Sequence, residues 1–100
     1  HTICVLLEQD DLEPLWKTDA PLVIRQNTAQ ELEKMNGLRP LNAQTWLMPD
    51  TAHAYAKVLY RLLYEIENST YSKVWVEKIN AHTAYSPWWA IQDRWIRAAK

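Results

Sequence analysis

The side chains able to do chemistry in this 100-residue chain are few and scattered. Cys4 is the only cysteine. It lies inside the apolar run "TICVLL" with no neighbouring His or basic residue to lower its pKa, so it reads as a small buried hydrophobe rather than a reactive thiol. His53 and His82 are 29 positions apart, and neither has a Cys or carboxylate at metal-ligand spacing. Ser86 follows His82 closely enough to suggest a nucleophile and its base, but the Ser-Pro pair at 86–87 is better explained as a helix start. The acidic run "EQDDLEP" at 8–14 has the composition of a cation loop or, more simply, of a solvated loop. Gly37 is the only glycine, so a phosphate-cradling Gly-rich loop is excluded. No catalytic, cofactor-binding or metal-binding residue is therefore expected within these residues.

Size and composition set the frame for those groups. One hundred residues suit a single domain (1–100) able to bury roughly two-thirds of its unfolded surface without a disulfide or a metal. Apolar residues make up 48% and charged residues 23%, a globular balance. No apolar run approaches the roughly 20 residues of a membrane span. The opening residue His1 is not Met, which suggests a tag remnant or a piece of a longer chain. The lone cysteine suits a reducing, cytoplasmic setting. Net charge is −1, yet residues 1–50 hold four Lys/Arg against eight Asp/Glu, while residues 51–100 hold seven against four. That mild basic excess falls short of a nucleic-acid footprint, and no direct nucleic-acid binding is expected.

The elements follow from pattern. "ICVLL" is a short buried strand, and the two prolines and Asp19 of "LEPLWKTDAP" break any period after it. "LVIRQ" is a second strand, followed at once by "TAQE", a capping box of Thr28 and Glu31 that starts a helix over 29–36. Leu32 and Met35 face inward there, and Gly37 ends it. "TWLMPD" is a third strand stopped by Pro49. Asp50 or Thr51 then caps the longest helix, whose stripe of Ala52, Tyr55, Ala56, Leu59, Leu62, Leu63 and Ile66 recurs at spacings of three and four. Lys57, Arg61 and Glu65 take its outer face. The helix closes at Asn68-Ser69-Thr70, a turn whose glycosylation pattern only a secreted protein would use.

"SKVWVEKI" is a fourth strand, with Val74 and Val76 on one side and Trp75 and Glu77 on the other. After the loop "NAHTAYS", Ser86 caps a last helix with Pro87 at its first position. Trp88, Ile91, Trp95 and Ala98 form its apolar stripe, widened by Trp89 and Ile96. Asp93 and Arg97 pair at i,i+4, and Arg97 and Lys100 suit the dipole at its end. The order β, β, α, β, α, β, α predicts a layered α/β domain, a mostly parallel sheet of about four strands with three helices.

Three runs in the second half, "AYAKVLYRLLYEIE", "KVWVEKI" and "PWWAIQDRWIRAA", resemble the C-terminal accessory domain of long-form threonylcarbamoyl-AMP synthases. The resemblance covers about residues 48–100. It rests on Ala56, Leu59, Tyr60, Leu63, Ile66 and Glu67, then Val74, Val76 and Glu77, then Ala90, Ile91, Asp93, Arg94, Arg97, Ala98 and Ala99. The chain departs from the pattern at "SPWW", where members carry a Gly-rich turn. Trp95 stands in place of the usual leucine, and Tyr64 in place of an arginine.

The resemblance implies a Rossmann-like accessory domain with a regulatory or structural role. Its partner would be an upstream catalytic domain that makes threonylcarbamoyl-AMP from threonine, bicarbonate and ATP, for the threonylcarbamoyladenosine modification of tRNA. ATP, with magnesium, would belong to that nucleotidyltransferase domain and not to this one. Asp93, Arg94, Arg97, Trp88 and Trp89 are the candidates for holding the last helix to its own sheet or to the neighbouring domain. Two rival readings remain: a free-standing module that homodimerises through exposed tryptophans, and a small nucleotide-sensing domain.

Overall fold

A computed structural model of the protein describes residues 2–99. His1 and Lys100 lie outside the described residues, and with them the readings of a tag remnant and of Lys100 at a helix end. The elements are β1 (Ile3–Leu7), α1 (Gln9–Trp16), β2 (Leu22–Arg25), α2 (Gln26–Asn36), β3 (Thr45–Met48), α3 (Ala52–Glu67), β4 (Lys73–Glu77) and α4 (Trp89–Ala98). The four strands form one all-parallel sheet in the order β1-β4-β2-β3.

Two cores cover the two faces of the sheet. Leu12 and Trp16 of α1 and Ala29 and Leu32 of α2 pack with Leu22 and Ile24 on one face. Tyr55, Leu59, Leu62 and Ile66 of α3, with Ile91 and Trp95 of α4, pack with Cys4, Val23, Val74 and Val76 on the other. The sheet is thus the middle of three layers. The connections β1-α1-β2 and β2-α2-β3 run toward one edge over one face. The return through α3 to β4 runs back over the opposite face, as a single crossover hand requires.

Four helices stand where three are expected, and the additional one is α1. Pro14 sits inside it and withholds an amide, which is why the segment reads as broken. The helix holds because Leu12, Leu15 and Trp16 recur at three and four, with Leu12 and Trp16 buried. Asp10 and Asp11 lie in its first turn, where the helix dipole favours negative charge. The acidic run is therefore neither a cation loop nor a solvated loop.

The start of α2 is also corrected. The helix begins at Gln26, so Thr28 is inside its first turn and cannot cap it. Glu31 accepts instead from the Gln9 side chain of α1 at 2.9 Å. At the other end Gly37 has φ 81° and its amide reaches Glu33 O at 2.8 Å, the expected terminating role. Met35 is 63% exposed and does not face inward; Leu32 does.

The long helix matches its pattern closely. Thr51 accepts from the Ala54 amide at 3.4 Å, and five stripe residues are buried, although Ala56 is exposed. In α4 the first helical residue is Trp89, so Pro87 is not in the helix. Ser86 instead folds the preceding turn, its hydroxyl accepting from the Trp88 amide at 3.2 Å. Ile91 and Trp95 are buried and Trp88 and Ala98 pack partly against them, whereas Trp89 and Ile96 are exposed and widen nothing.

Candidate functional site: the carboxyl edge of the sheet

In a parallel α/β sheet, ligands sit outside the carboxyl ends of the strands, where backbone amides of the following helices point outward. Here that edge is formed by the ends of β2 and β4 and by the entries to α2 and α3. Strand alternation sends Glu77 away from the face of Val74 and Val76 and onto the side of α2. Alternation along the strand predicts that direction but assigns Glu77 no role.

Glu77 is 4% exposed and organises the edge. Its Oε1 accepts from the Arg25 amide at 2.9 Å and from Arg25 Nε at 3.2 Å. Its Oε2 accepts from Arg25 Nη2 at 2.9 Å and from the Thr28 hydroxyl at 2.5 Å. The guanidinium and the carboxylate meet fork to fork, the geometry that makes charge-assisted bonds strong. The hydrogen bonds that Arg25 donates to Glu77, with the charge of that carboxylate, hold the Arg25 pKa above its ordinary value against the opposing effect of burial. Arg25 also lies over the Trp88 ring, 5.3 Å from its centroid.

A second carboxylate completes the arrangement. Asp50, at the entry to α3, accepts from the Asn27 amide at 2.9 Å. The Asn27 amide in the first turn of α2 and the Arg25 amide just before the helix are thus satisfied by Asp50 and Glu77, acids 23 and 52 residues away, rather than by a local cap. Beneath them Tyr55 is buried, its hydroxyl accepting from Trp95 Nε1 at 2.8 Å and its ring edge-on to Trp88 at 5.4 Å. Burial pushes the Tyr55 phenol well above its ordinary value, outweighing the hydrogen bond from Trp95.

Tested as a nucleotide site, this edge does not fit. The anion position at the α2 N-terminus holds Asp50, and the Arg25 charge is met by Glu77. The turn from β2 to α2 is Arg25-Gln26-Asn27, without the glycine that lets a phosphate approach the backbone. Among the described residues no group of three or more His, Cys, Asp or Glu is placed to hold a metal ion. His53 and His82 are both exposed, and the Ser86 hydroxyl is engaged with its own turn. Burial, with the Glu67 charge behind it, raises the Cys4 thiol pKa, the opposite of activation.

The five candidates on the last helix divide. Trp88 belongs to the edge through Arg25 and Tyr55. Arg94 stacks over the Tyr60 ring at 4.9 Å, so it ties α4 to α3 rather than to the sheet. Asp93 and Arg97 form the expected i,i+4 pair at 3.0 Å and are spent on each other at the surface. Of the six tryptophans only Trp89 is exposed, which leaves the reading of dimerisation through exposed tryptophans with a single residue.

A different signal could have found the edge. A Glu that follows alternating valines on a parallel strand lies where burial is possible, and a buried carboxylate needs a cation or several donors. No family model, curated protein or solved structure matches the chain at a significant level. Among the described residues no helix is long and apolar enough to cross a membrane.

Proposed function

We propose that this chain is the accessory domain of an enzyme that makes threonylcarbamoyl-AMP from threonine, bicarbonate and ATP for tRNA modification. It acts by packing and regulation, while the reacting groups belong to a catalytic domain outside these residues. The observation that carries the accessory role is the carboxyl edge, where Glu77 and Asp50 take up the amides and the guanidinium that a bound nucleotide would need. The same observation counts against a nucleotide sensor.

The choice of enzyme rests on the three resembling runs. In support, Leu59, Ile66, Val74, Val76 and Ile91 from those runs share one core. Tyr60 and Arg94, each from a different run, stack on one another.

The test joins the gene sequence upstream of residue 1 to this chain and follows pyrophosphate release from ATP with threonine and bicarbonate. Threonine-dependent release that changes when residues 1–100 are deleted is the expected result. A gene that encodes no such domain beside this one, or a joined protein without threonine-dependent release, overturns the assignment. Calorimetric titration of the isolated chain with ATP should give no binding heat.

A further inference from the structure

Both edge strands pair on one side only and carry neither charge nor proline, β1 with Ile3 exposed and β3 with Leu47 exposed. α4 packs against β1, and what sets β3 apart is the groove beside it. Among the described residues β3 pairs only with β2, so its outer amides and carbonyls have no strand beside them. Natural edge strands are kept from pairing by charge, proline or a bulge. The four residues of β3 are Thr-Trp-Leu-Met, with no charge and no proline. Leu47 is 54% exposed at that edge although it is flanked by the half-buried Trp46 and the buried Met48. Between the edge and α3 runs an open groove of about 190 Å³. Trp46, Leu47, Val58 and Leu62 give it apolar walls, and Arg61 and Glu65 stand on its rim.

From this we infer that β3 is the interface of a homodimer, paired antiparallel across a two-fold axis with β3 of a second copy. The occupant is chosen by charge. Arg61 and Glu65 are one helical turn apart on the same rim, both well exposed, and only 4.0 Å from each other. A two-fold axis at β3 sets the two α3 helices alongside in opposite senses. Arg61 of one copy then runs past Glu65 of the other, twice over, as an isologous interface requires. A rim with one cation and one anion in this order is complementary to itself, whereas a basic or acidic partner would meet a like charge at one of the two positions. The exposed Leu47 and the groove then receive their counterparts from the second copy, and eight strands form a continuous sheet. This inference does not depend on the proposed enzyme.

Sedimentation equilibrium of the chain over a range of concentrations tests it. A dimer is expected, and a monomer at the highest concentration overturns the inference. Leu47→Lys places a charge on the free edge and should raise the dimer dissociation constant by about tenfold or more. A dimer unaffected by that change is built on another surface and also overturns it. Because Leu47→Lys could unfold the chain, a second arm uses exposed positions only. Arg61→Glu alone should weaken the dimer, and Arg61→Glu with Glu65→Arg should restore it, since the swap re-creates both cross-pairs. Failure of the double variant to regain the dimer that the single variant loses rejects the two-fold pairing.

Discussion

Each end of the sheet is fastened by one arginine, and the two are fastened differently. At the carboxyl end Arg25 faces a carboxylate, fork to fork, and its pKa is held up. At the amino end Arg39 has, among the described residues, no acid in hydrogen-bonding contact. Its guanidinium donates to Trp16 O at 3.2 Å, to Gln44 O at 2.9 Å, to Ala20 O and to the Thr45 hydroxyl. Burial therefore lowers the Arg39 pKa, with only the distant Asp19 charge opposing it. Arg25 closes a position where a ligand would bind. Arg39 gathers three chain segments, the end of α1, the entry to β2 and the loop before β3. The contrast shows that a half-buried arginine is no evidence of an anion site until its acceptors are counted.

The largest expected effect breaks the carboxyl-end pair. Glu77→Ala leaves the Arg25 guanidinium, the Arg25 amide and the Thr28 hydroxyl without their acceptor. Removing one partner of a buried pair typically costs 3–5 kcal/mol, and because the Arg25 side chain is 30% exposed the low end, about 3 kcal/mol, applies. Denaturant midpoints measure it. Replacing both members, Arg25→Met with Glu77→Leu, should recover the part of that loss due to the stranded guanidinium, while the Arg25 amide and the Thr28 hydroxyl still lack their acceptor. A double variant as unstable as Glu77→Ala would mean that the pair fixes the α2 start in a way apolar packing cannot.

Arg39→Met is next, at about 2 kcal/mol, since its acceptors are neutral carbonyls that water can partly reach once the loop loosens. Arg39→Lys should rescue little, because an ammonium cannot reproduce the fork that meets several acceptors at once. Hydrogen exchange across 38–45 should speed up in both variants, while exchange in β4 should not. Uniform acceleration would show that Arg39 supports the whole sheet rather than its loop.

The two ends also differ in how far they could be read in advance. Strand order along the chain, the long helix and the buried faces of β2 and β4 follow from periodicity, a local property, and they are legible. What escapes is set by partners remote in sequence. α1 is hidden by Pro14, whose local cost is offset by the burial of Leu12 and Trp16. The capping box at Thr28 is misleading because the helix begins two residues earlier, Asp50 takes up the Asn27 amide from another element, and the Thr28 hydroxyl turns inward to donate to Glu77. Trp95 and Ile91 are legible as core, but Trp89 is not separable from them by spacing alone. The site itself requires Arg25 and Glu77 to be neighbours. That depends on β4 inserting beside β2, and no local pattern encodes it.

Tyr55 sharpens the comparison from beneath the carboxyl end. Both its phenol and the Cys4 thiol have pKa values raised by burial, from ordinary values of 10.0 and 9.0. For an acid whose pKa is raised on folding, the unfolded chain loses its proton first. The stabilisation is therefore complete below the unfolded value and is lost progressively as pH climbs from it through the raised folded value. Stability should be flat near neutrality and fall above about pH 9–10. Tyr55→Phe should cost about 1 kcal/mol at neutral pH, because Trp95 Nε1 loses its acceptor, and should make the alkaline fall shallower. An unchanged alkaline limb would assign that fall to other groups.

The smallest effect is the most direct control on the argument from Arg25. Arg97 and Asp93 are 3.0 Å apart, almost the 2.9 Å that separates Arg25 from Glu77. If distance alone set the worth of an ion pair, Arg97→Ala and Glu77→Ala would cost the same. Burial argues otherwise, because the Arg97 and Asp93 side chains are 72% and 48% exposed, so water and salt screen their attraction and each is solvated when left alone. The expected cost of Arg97→Ala is under about 0.5 kcal/mol, vanishing in molar salt, while that of Glu77→Ala should be nearly unchanged by salt. Equal costs, or a strong salt dependence at Glu77, would mean that the carboxyl edge is open to solvent. The claim that its carboxylates close it to a ligand would then fail.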